Sequence, residues 1–308
     1  AINGSIAANT IMEPLFRMDT DENLIPVLGL SLEQSDDGKT WTVNLRKNVK
    51  FHDGTAFNAD AVVNHWDRLL NQENKFRGRA AMGPIVSVKK VDETTIQYNL
   101  KHPWLPFKRV ICGTRGLINL IPSSKSVDAG NQNRAPIGTG PFKLEEWKSG
   151  DAFTVVKNPE YWGKGVPFLD KIVFKPMTDS QTRYASLQSG QADIIWMDRG
   201  NLNNKAKTDS SLKVYASEHN GAEIFILNTS VPPLDNVNVR RALAHAHNQE
   251  RQVKMVYKDS IPVVHHPFGN QCECNEVGYR DYNPDEARKL LAGYDATVEL
   301  EVLHSCSK

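Results

Sequence analysis

The chain has 308 residues, 40% of them hydrophobic and 24% charged, which excludes a wholly disordered polymer and leaves room for two domains or one large one. Lys and Arg number 37 against 36 Asp and Glu, so no net field draws the chain to nucleic acid or to an anionic membrane, and no nucleic-acid partner is expected. No stretch approaches the unbroken apolar run that a membrane-spanning helix needs.

An apolar helical pattern runs from Ile6 to Phe16. Asp36-Asp37-Gly38-Lys39 is a turn between two strands, the second of which, Trp41 to Arg46, alternates apolar and polar residues at period two. Val62, Val63, Trp66, Leu69 and Leu70 then fall on one face of a helix that Asn58 is placed to cap. Hairpins are expected from Ile85 to Leu100, turning at Val91-Asp92-Glu93, and from Phe142 to Val156, turning at Lys148-Ser149-Gly150-Asp151.

Beyond Pro167 the pattern changes. A strand at Lys171–Lys175, a helix from Asp179 to Gly190 and a strand at Ala192–Met197 read as a short β–α–β unit. Strands at Leu212–Ala216 and Ala222–Leu227 precede a helix from Val237 to about His247, and Asn283-Pro284 opens another with proline in its first turn. Thr297–Leu303 is an apolar alternating strand that stops with the chain, so the sequence reads as a segment of something longer. Ala1-Ile2-Asn3-Gly4-Ser5 carries no basic stretch followed by an apolar one, so no signal peptide lies there; a cytosolic protein, a processed exported one and a fragment all suit that start.

Catalytic chemistry is hard to find. No Gly-x-Ser-x-Gly elbow, His-Glu-x-x-His zinc motif or phosphate loop occurs, and Gly138-Thr139-Gly140-Pro141 reads as a turn rather than a nucleotide cradle, so neither a catalytic residue nor a cofactor is expected. His245 and His247 stand two apart on a helix, where side chains diverge, which suits one partly buried and one solvated ring. His265, His266, Cys272, Cys274, His304 and Cys306 are metal-ligand types near the C-terminus, yet Cys272-x-Cys274 is tighter than a zinc knuckle. A disulfide from Cys306 to one of that pair and free loop thiols both remain open, and no metal site is assigned. Four cysteines, Cys112 included, are too few for a disulfide scaffold. Asp53, in Phe51-His52-Asp53-Gly54, suits a turn better than acid–base work. The six tryptophans fall mostly at core positions.

These stretches, in order, resemble the extracellular solute-binding proteins of the oligopeptide, dipeptide and nickel uptake type that serve ABC transporters. Glu13-Pro14-Leu15, Asp37-Gly38-Lys39-Thr40-Trp41-Thr42 and Phe51-His52-Asp53-Gly54-Thr55 carry the likeness first. Ile137-Gly138-Thr139-Gly140-Pro141-Phe142, Asn158-Pro159-Glu160-Tyr161-Trp162 and Leu187-Gln188-Ser189-Gly190-Gln191-Ala192-Asp193 continue it. Asn228-Thr229, Val239-Arg240-Arg241-Ala242-Leu243 and Tyr282-Asn283-Pro284-Asp285-Glu286-Ala287 complete it. The family usually has Asp-Arg where Asn248-Gln249 stands here, and Asn caps a helix about as well as Asp.

The resemblance implies an α/β fold of the periplasmic-binding-protein type II kind, two-lobed, with the first lobe split into two subdomains and most of the second lobe outside this chain. Residues 10–135 would be the inserted subdomain, 1–9 with 136–225 the core subdomain, and 226–308 the start of the second lobe. It implies a non-enzymatic, extracytoplasmic protein, periplasmic or lipid-anchored, that captures a small solute between its lobes and passes it to a membrane permease. A di- or oligopeptide is the first expectation; a nickel-type metal chelate is the alternative, and a hydrolase a remote third. By the same resemblance Ile2, Asn3 and Gly4 match an extended segment lining the cleft, Glu223 and Phe225 face the ligand near the lobe crossing, and Arg115 aligns with an arginine that meets a chelator carboxylate.

Overall fold

A computed structural model of the chain describes residues 2–19, 21, 23–74, 76, 78–112, 118–197, 200–216, 225–263 and 280–294. They divide into two compact units, 1–176 and 177–308.

The first unit opens with helix α1 (Ile2–Ile11), followed by the short antiparallel pair β1 (Phe16–Met18) and β2 (Leu24–Pro26). The helix therefore starts earlier and stops earlier than its apolar pattern suggests. Proline disfavours helical geometry in the residue before it, so Pro14 turns Glu13 out of the helix and Leu15 and Phe16 enter the core from extended chain.

Four antiparallel strands form the main sheet: β3 (Gly29–Gln34), β4 (Thr40–Leu45), β5 (Ile85–Asp92) and β6 (Thr95–Leu100), in the order β3-β4-β6-β5. Gly38 makes the first hairpin turn at φ +69°, with the Asp37 carboxylate accepting from the Lys39 amide at 3.0 Å. Trp41, Val43 and Leu45 on β4, and Ile96, Tyr98 and Leu100 on β6, point to the core. The intervening residues form an uncharged outer grid, in which Asn44 donates to Ser31 at 2.7 Å, Gln97 to Thr42 at 3.2 Å and Asn99 to Ser87 at 3.3 Å.

Helix α2 (Ala59–Leu70) packs on β5 and β6. The Asn58 side chain accepts from the Ala61 amide at 3.1 Å, the cap expected from sequence. Its buried face is Val62, His65, Trp66 and Leu69, so a histidine takes a place that the apolar stripe alone does not reveal. Trp66 meets Tyr98 edge-on at 5.2 Å, and Tyr98 meets Phe107 of α3 (Phe107–Cys112), which stacks on Trp41 at 4.8 Å. Cys112 is a free thiol in this core, pushed up to about 11 by burial. After the short helix α4 (Ser124–Asp128), the sheet β7 (Phe142–Lys148), β8 (Ala152–Lys157), β9 (Lys171–Phe174) packs a second, smaller core around Ile11, Phe142 and Val155.

The regular elements among the described residues of the second unit are helices. Asp179 caps α5 (Ser180–Gln188) by accepting from the Thr182 amide at 2.8 Å, and α6 (Gly200–Thr208) lies against a π-helical turn at Val253–Tyr257. Helix α7 (Val237–Ala246) packs on α9 (Pro284–Leu290), and Asn248 caps the intervening α8 (Gln249–Gln252) by accepting from the Arg251 amide at 2.8 Å. Asn248 thus does the work expected of the family's aspartate.

Two expected strands are corrected here. Residues 192–197 and 212–216 are irregular, because a strand exists only through a neighbour's hydrogen bonds and none pairs with them among the described residues. Ile194 is 90% and Tyr215 82% exposed. The β–α–β unit is absent for the same reason: β9 pairs antiparallel with β8 instead. The expected strand at 222–227 lies partly, and that at 297–303 wholly, outside the described residues.

His65 links this core to acid. Its Nε2 donates to the Ile118 carbonyl at 2.6 Å, leaving Nδ1 buried without a partner, and burial lowers the ring to about 4. The neutral ring favours folding fully above about pH 6.5, and that contribution is lost as pH falls toward 4. The loss is on the order of 3 kcal/mol. Urea midpoints at pH 7 and pH 5 should fall with acid in the wild type and fall distinctly less in His65→Gln; equal acid slopes would contradict the assignment.

Candidate functional site

Four of the stretches that carry the family resemblance in the first unit, at 13–15, 51–55, 137–142 and 158–162, converge on one junction. The segment 137–141 crosses the C-terminal end of α1 at backbone contact, and the Gly140 amide donates to the Ile11 carbonyl at 2.8 Å. A Cβ on Gly138 would lie 2.2 Å from the Ile11 oxygen, and one on Gly140 would lie 2.6 Å from the Ile11 carbonyl group. Glycine is required at both by this approach, not by backbone dihedrals. The Gly140 carbonyl accepts from His52 Nε2 at 2.9 Å and from Asn158 Nδ2 at 3.2 Å. His52 thereby carries its proton on Nε2, and burial lowers its tendency to take a second.

Glu13 stands at the centre, 1% exposed. Its Oε2 accepts from Thr139 Oγ1 at 2.9 Å and Trp162 Nε1 at 2.8 Å, and its Oε1 from the Tyr161 hydroxyl at 2.6 Å. The Ile121 amide donates to its main-chain carbonyl at 3.2 Å. Burial raises the Glu13 carboxyl above the ordinary value and outweighs the lowering by Tyr161, Trp162, Thr139 and the charge of Arg17. Behind it, the Arg46 guanidinium lies 4.2 Å above the Trp162 ring and donates to the Val27 carbonyl at 2.7 Å.

Asp53 fixes the neighbouring turn, as its Asp-Gly setting suggests. Oδ1 accepts from the Thr55 amide at 3.0 Å and Oδ2 from the Ser123 hydroxyl at 2.6 Å. Burial alone would raise this carboxyl, and the hydrogen bonds from Ser123 and Thr55 instead hold it below the usual value. None of these groups forms a nucleophile–base arrangement. They build a polar joint between the four-stranded and the three-stranded sheets of the unit.

The sequence-derived binding residues fare unevenly. Ile2, Asn3 and Gly4 form the first turn of α1, which corrects the extended segment expected for them; no proline breaks the run before Ile11, and the helix forms despite its Asn3-Gly4 pair. Gly4 is exposed with open space around it. Arg115 and Glu223 lie outside the described residues, as do His265, His266, Cys272, Cys274, His304 and Cys306. Phe225 belongs to the second unit, 58% exposed, with its ring 5.3 Å from that of His247 in an edge-on contact.

The paired histidines do diverge. His245 Nδ1 lies 2.9 Å from the Asp281 carbonyl and His247 Nε2 2.6 Å from Gln252 Oε1, but both rings are half-buried rather than one being solvated. The six tryptophans divide likewise: Trp41 and Trp66 are core, Trp104 and Trp162 half-buried, and Trp147 and Trp196 more exposed. Among the described residues no group of three metal-ligating side chains gathers, and no helix is long and apolar enough to cross a membrane. Sequence reading missed the Glu13 junction, although a lone carboxylate inside Ile11-Met12-Glu13-Pro14-Leu15-Phe16 is its visible trace.

The family model described as bacterial extracellular solute-binding proteins, family 5 Middle, matches residues 23–303. The glutathione-binding protein GsiB of Pectobacterium atrosepticum is 32% identical over 291 residues, covering 93% of this chain and 56% of that protein. GsiB of Escherichia coli is 31% identical over 290 residues with the same shares. Among solved structures, DppA of Helicobacter pylori, in complex with the peptide STSA, matches with a TM-score of 0.81 at 25% identity, covering 93% of this chain and 60% of that one. NikA of Brucella suis, in complex with Fe(III)-EDTA, gives 0.79 at 26%, covering 96% and 61%. The chain thus spans somewhat more than half the length of these relatives.

Two glycines separate the joint from the turn it carries. Gly140→Ala should destabilise the protein by roughly 2–3 kcal/mol, since backbone on α1 cannot yield to the new methyl. Gly4→Ala, in open helical space, should be neutral or stabilise by up to about 1 kcal/mol. Urea unfolding of the two variants beside the wild type measures both, and equal midpoints would refute the close approach.

Proposed function

Because the chain belongs to the family 5 bacterial extracellular solute-binding proteins, we propose that it captures a small solute outside the cytoplasm and delivers it to the membrane permease of an ABC importer. The solute we assign is a short peptide. The observation that carries this is the 31–32% identity to proteins that bind glutathione, itself a tripeptide. Extended peptides are held largely by main-chain hydrogen bonds, which needs no catalytic group and suits a sequence without the catalytic motifs named above.

On this reading residues 10–135 are the inserted subdomain, 1–9 with 136–225 the core subdomain, and 226–308 the opening of the second lobe, the lobes closing on the solute like a hinge. Ile2, Asn3 and Gly4 contribute from the first turn of α1, and Arg115, Glu223 and Phe225 from their own segments. A metal chelate is the second reading. It is supported by the likeness to NikA with Fe(III)-EDTA and to NikZ of Campylobacter jejuni with Ni(L-His), the latter at a TM-score of 0.80 and 26% identity.

Calorimetric titration of the purified protein with glutathione, the dipeptide Met-Leu and the nickel–histidine complex separates the readings. Saturable heat with a peptide and none with the chelate is expected, and the reverse would install the chelate in its place. Phe225→Ala should weaken peptide binding by about tenfold, or about 1.4 kcal/mol, the scale of one aromatic contact.

A further inference from the structure

We propose that Glu13 is a charge-dependent clamp on the C-terminal end of α1, a positioning residue whose carboxylate fixes where that helix leaves the sheet and hence where its first turn, Ile2–Gly4, is presented. The geometry is one-sided. Every side-chain contact to the carboxylate is a donor: the Tyr161 hydroxyl on Oε1, and the Thr139 hydroxyl and the Trp162 indole on Oε2. An ionised carboxylate accepts all three. A protonated one must donate through one oxygen, and an indole N–H cannot accept.

A hydroxyl both donates and accepts, so Tyr161, the side-chain donor on Oε1, can reverse when a proton is taken up there. A proton taken up on Oε1 is therefore accommodated by turning the Tyr161 hydroxyl away, while Thr139 and Trp162 keep their bonds to Oε2. Neither turn is let go, but all three bonds lose the reinforcement of the charge, and the grip on Glu13 loosens. The carboxyl is already disposed to take that proton, since burial raises it.

The grip reaches α1 directly. Glu13 follows the helix by two residues, the Met12 amide donates to the Ala8 carbonyl at 2.8 Å, and Gly140, adjacent to Thr139, caps the Ile11 carbonyl. A helix of ten residues extends about 15 Å from this point. A small change in its seating is carried to the first turn.

The charged and titratable groups around Glu13 are few. Arg17 on β1 and Arg46 beyond β4 supply positive charge, Tyr161 comes from the 158–162 turn, and His52 stands across Gly140. Burial lowers His52 from the ordinary histidine range and raises Glu13 from the ordinary carboxylate range, so the two shift toward each other and a test must tell them apart.

The presentation of Ile2–Gly4 to a solute rests on the function proposed above; the clamp does not, and its test needs no solute. The indole N–H resonance of Trp162, assigned through Trp162→Phe, is followed by NMR from about pH 7 to 4.5. Amide exchange is measured at Met12 and Gly140 against the amides of β4 and β6.

In the wild type the indole resonance should titrate above the ordinary carboxylate range, and exchange at Met12 and Gly140 should accelerate about tenfold in acid relative to the strands. Glu13→Gln should abolish the indole titration and show the faster local exchange already at neutral pH. A titration that persists in Glu13→Gln and vanishes in His52→Gln would assign the event to His52 and overturn the proposal. So would exchange that rises equally across the unit, which marks a merely structural role.

If Glu13→Gln does not fold, Trp162→Phe removes one donor and keeps the carboxylate. Its Met12 and Gly140 amides should then exchange about tenfold faster at pH 7 with the strands unchanged, and no change would overturn the clamp. Unchanged affinity for glutathione in a variant whose local exchange has accelerated would count against the solute reading alone.

Discussion

A carboxylate removed from water is tolerable only where its lone pairs are filled. That requirement organises the first unit. Glu13 meets it with donors from two turns lying more than a hundred residues downstream, and those turns are held in reach by the glycines that let segment 137–141 lie on the end of α1. Remove the close approach and Thr139 loses its place; without Thr139, Tyr161 and Trp162, the charge is stranded. The four-stranded and three-stranded sheets of the unit are therefore not merely adjacent. They share one buried polar joint whose members satisfy each other, in which a deficit at any position is felt at the rest.

Much of the first unit was legible because its strands bury one face each. Trp41, Val43 and Leu45 alternate with threonine and asparagine, and the same beat in Ile96, Tyr98 and Leu100 locates both partners of the central pair. Asn58, Asp179 and Asn283 identified helix starts, since a side-chain acceptor at that position answers an otherwise unpaired amide. The failures share a cause. Segments 192–197 and 212–216 have the composition of strands, but pairing is a property of two segments, and one sequence window shows only its own half. His65 was missed because an imidazole inside an apolar face looks like a solvated intruder until the Ile118 carbonyl appears opposite it.

The candidate site was legible in a different sense. Three of the stretches that gave away the family, Glu13-Pro14, Gly138-Thr139-Gly140 and Asn158 to Trp162, turned out to be the joint. Such residues identify a fold well because backbone proximity leaves few alternatives: at Gly140 no side chain fits, and at Trp162 a donor-only ring is wanted. Gly4 is under no comparable rule: open space surrounds it, and nothing in local chemistry dictates what must stand there.

The span of the joint also bears on how the chain is made. Glu13 and Trp162 are 149 positions apart, almost the full extent of the first unit. During synthesis from the N-terminus, the carboxylate has no indole, phenol or threonine to meet until those residues have emerged, and until then it remains hydrated. The hairpins β3–β4 and β5–β6 can close early because each joins near neighbours along the chain, whereas the joint must wait for residue 162. The spacing thus lets the hairpins of the main sheet close before the joint can form, while β9, beyond residue 162, emerges later still.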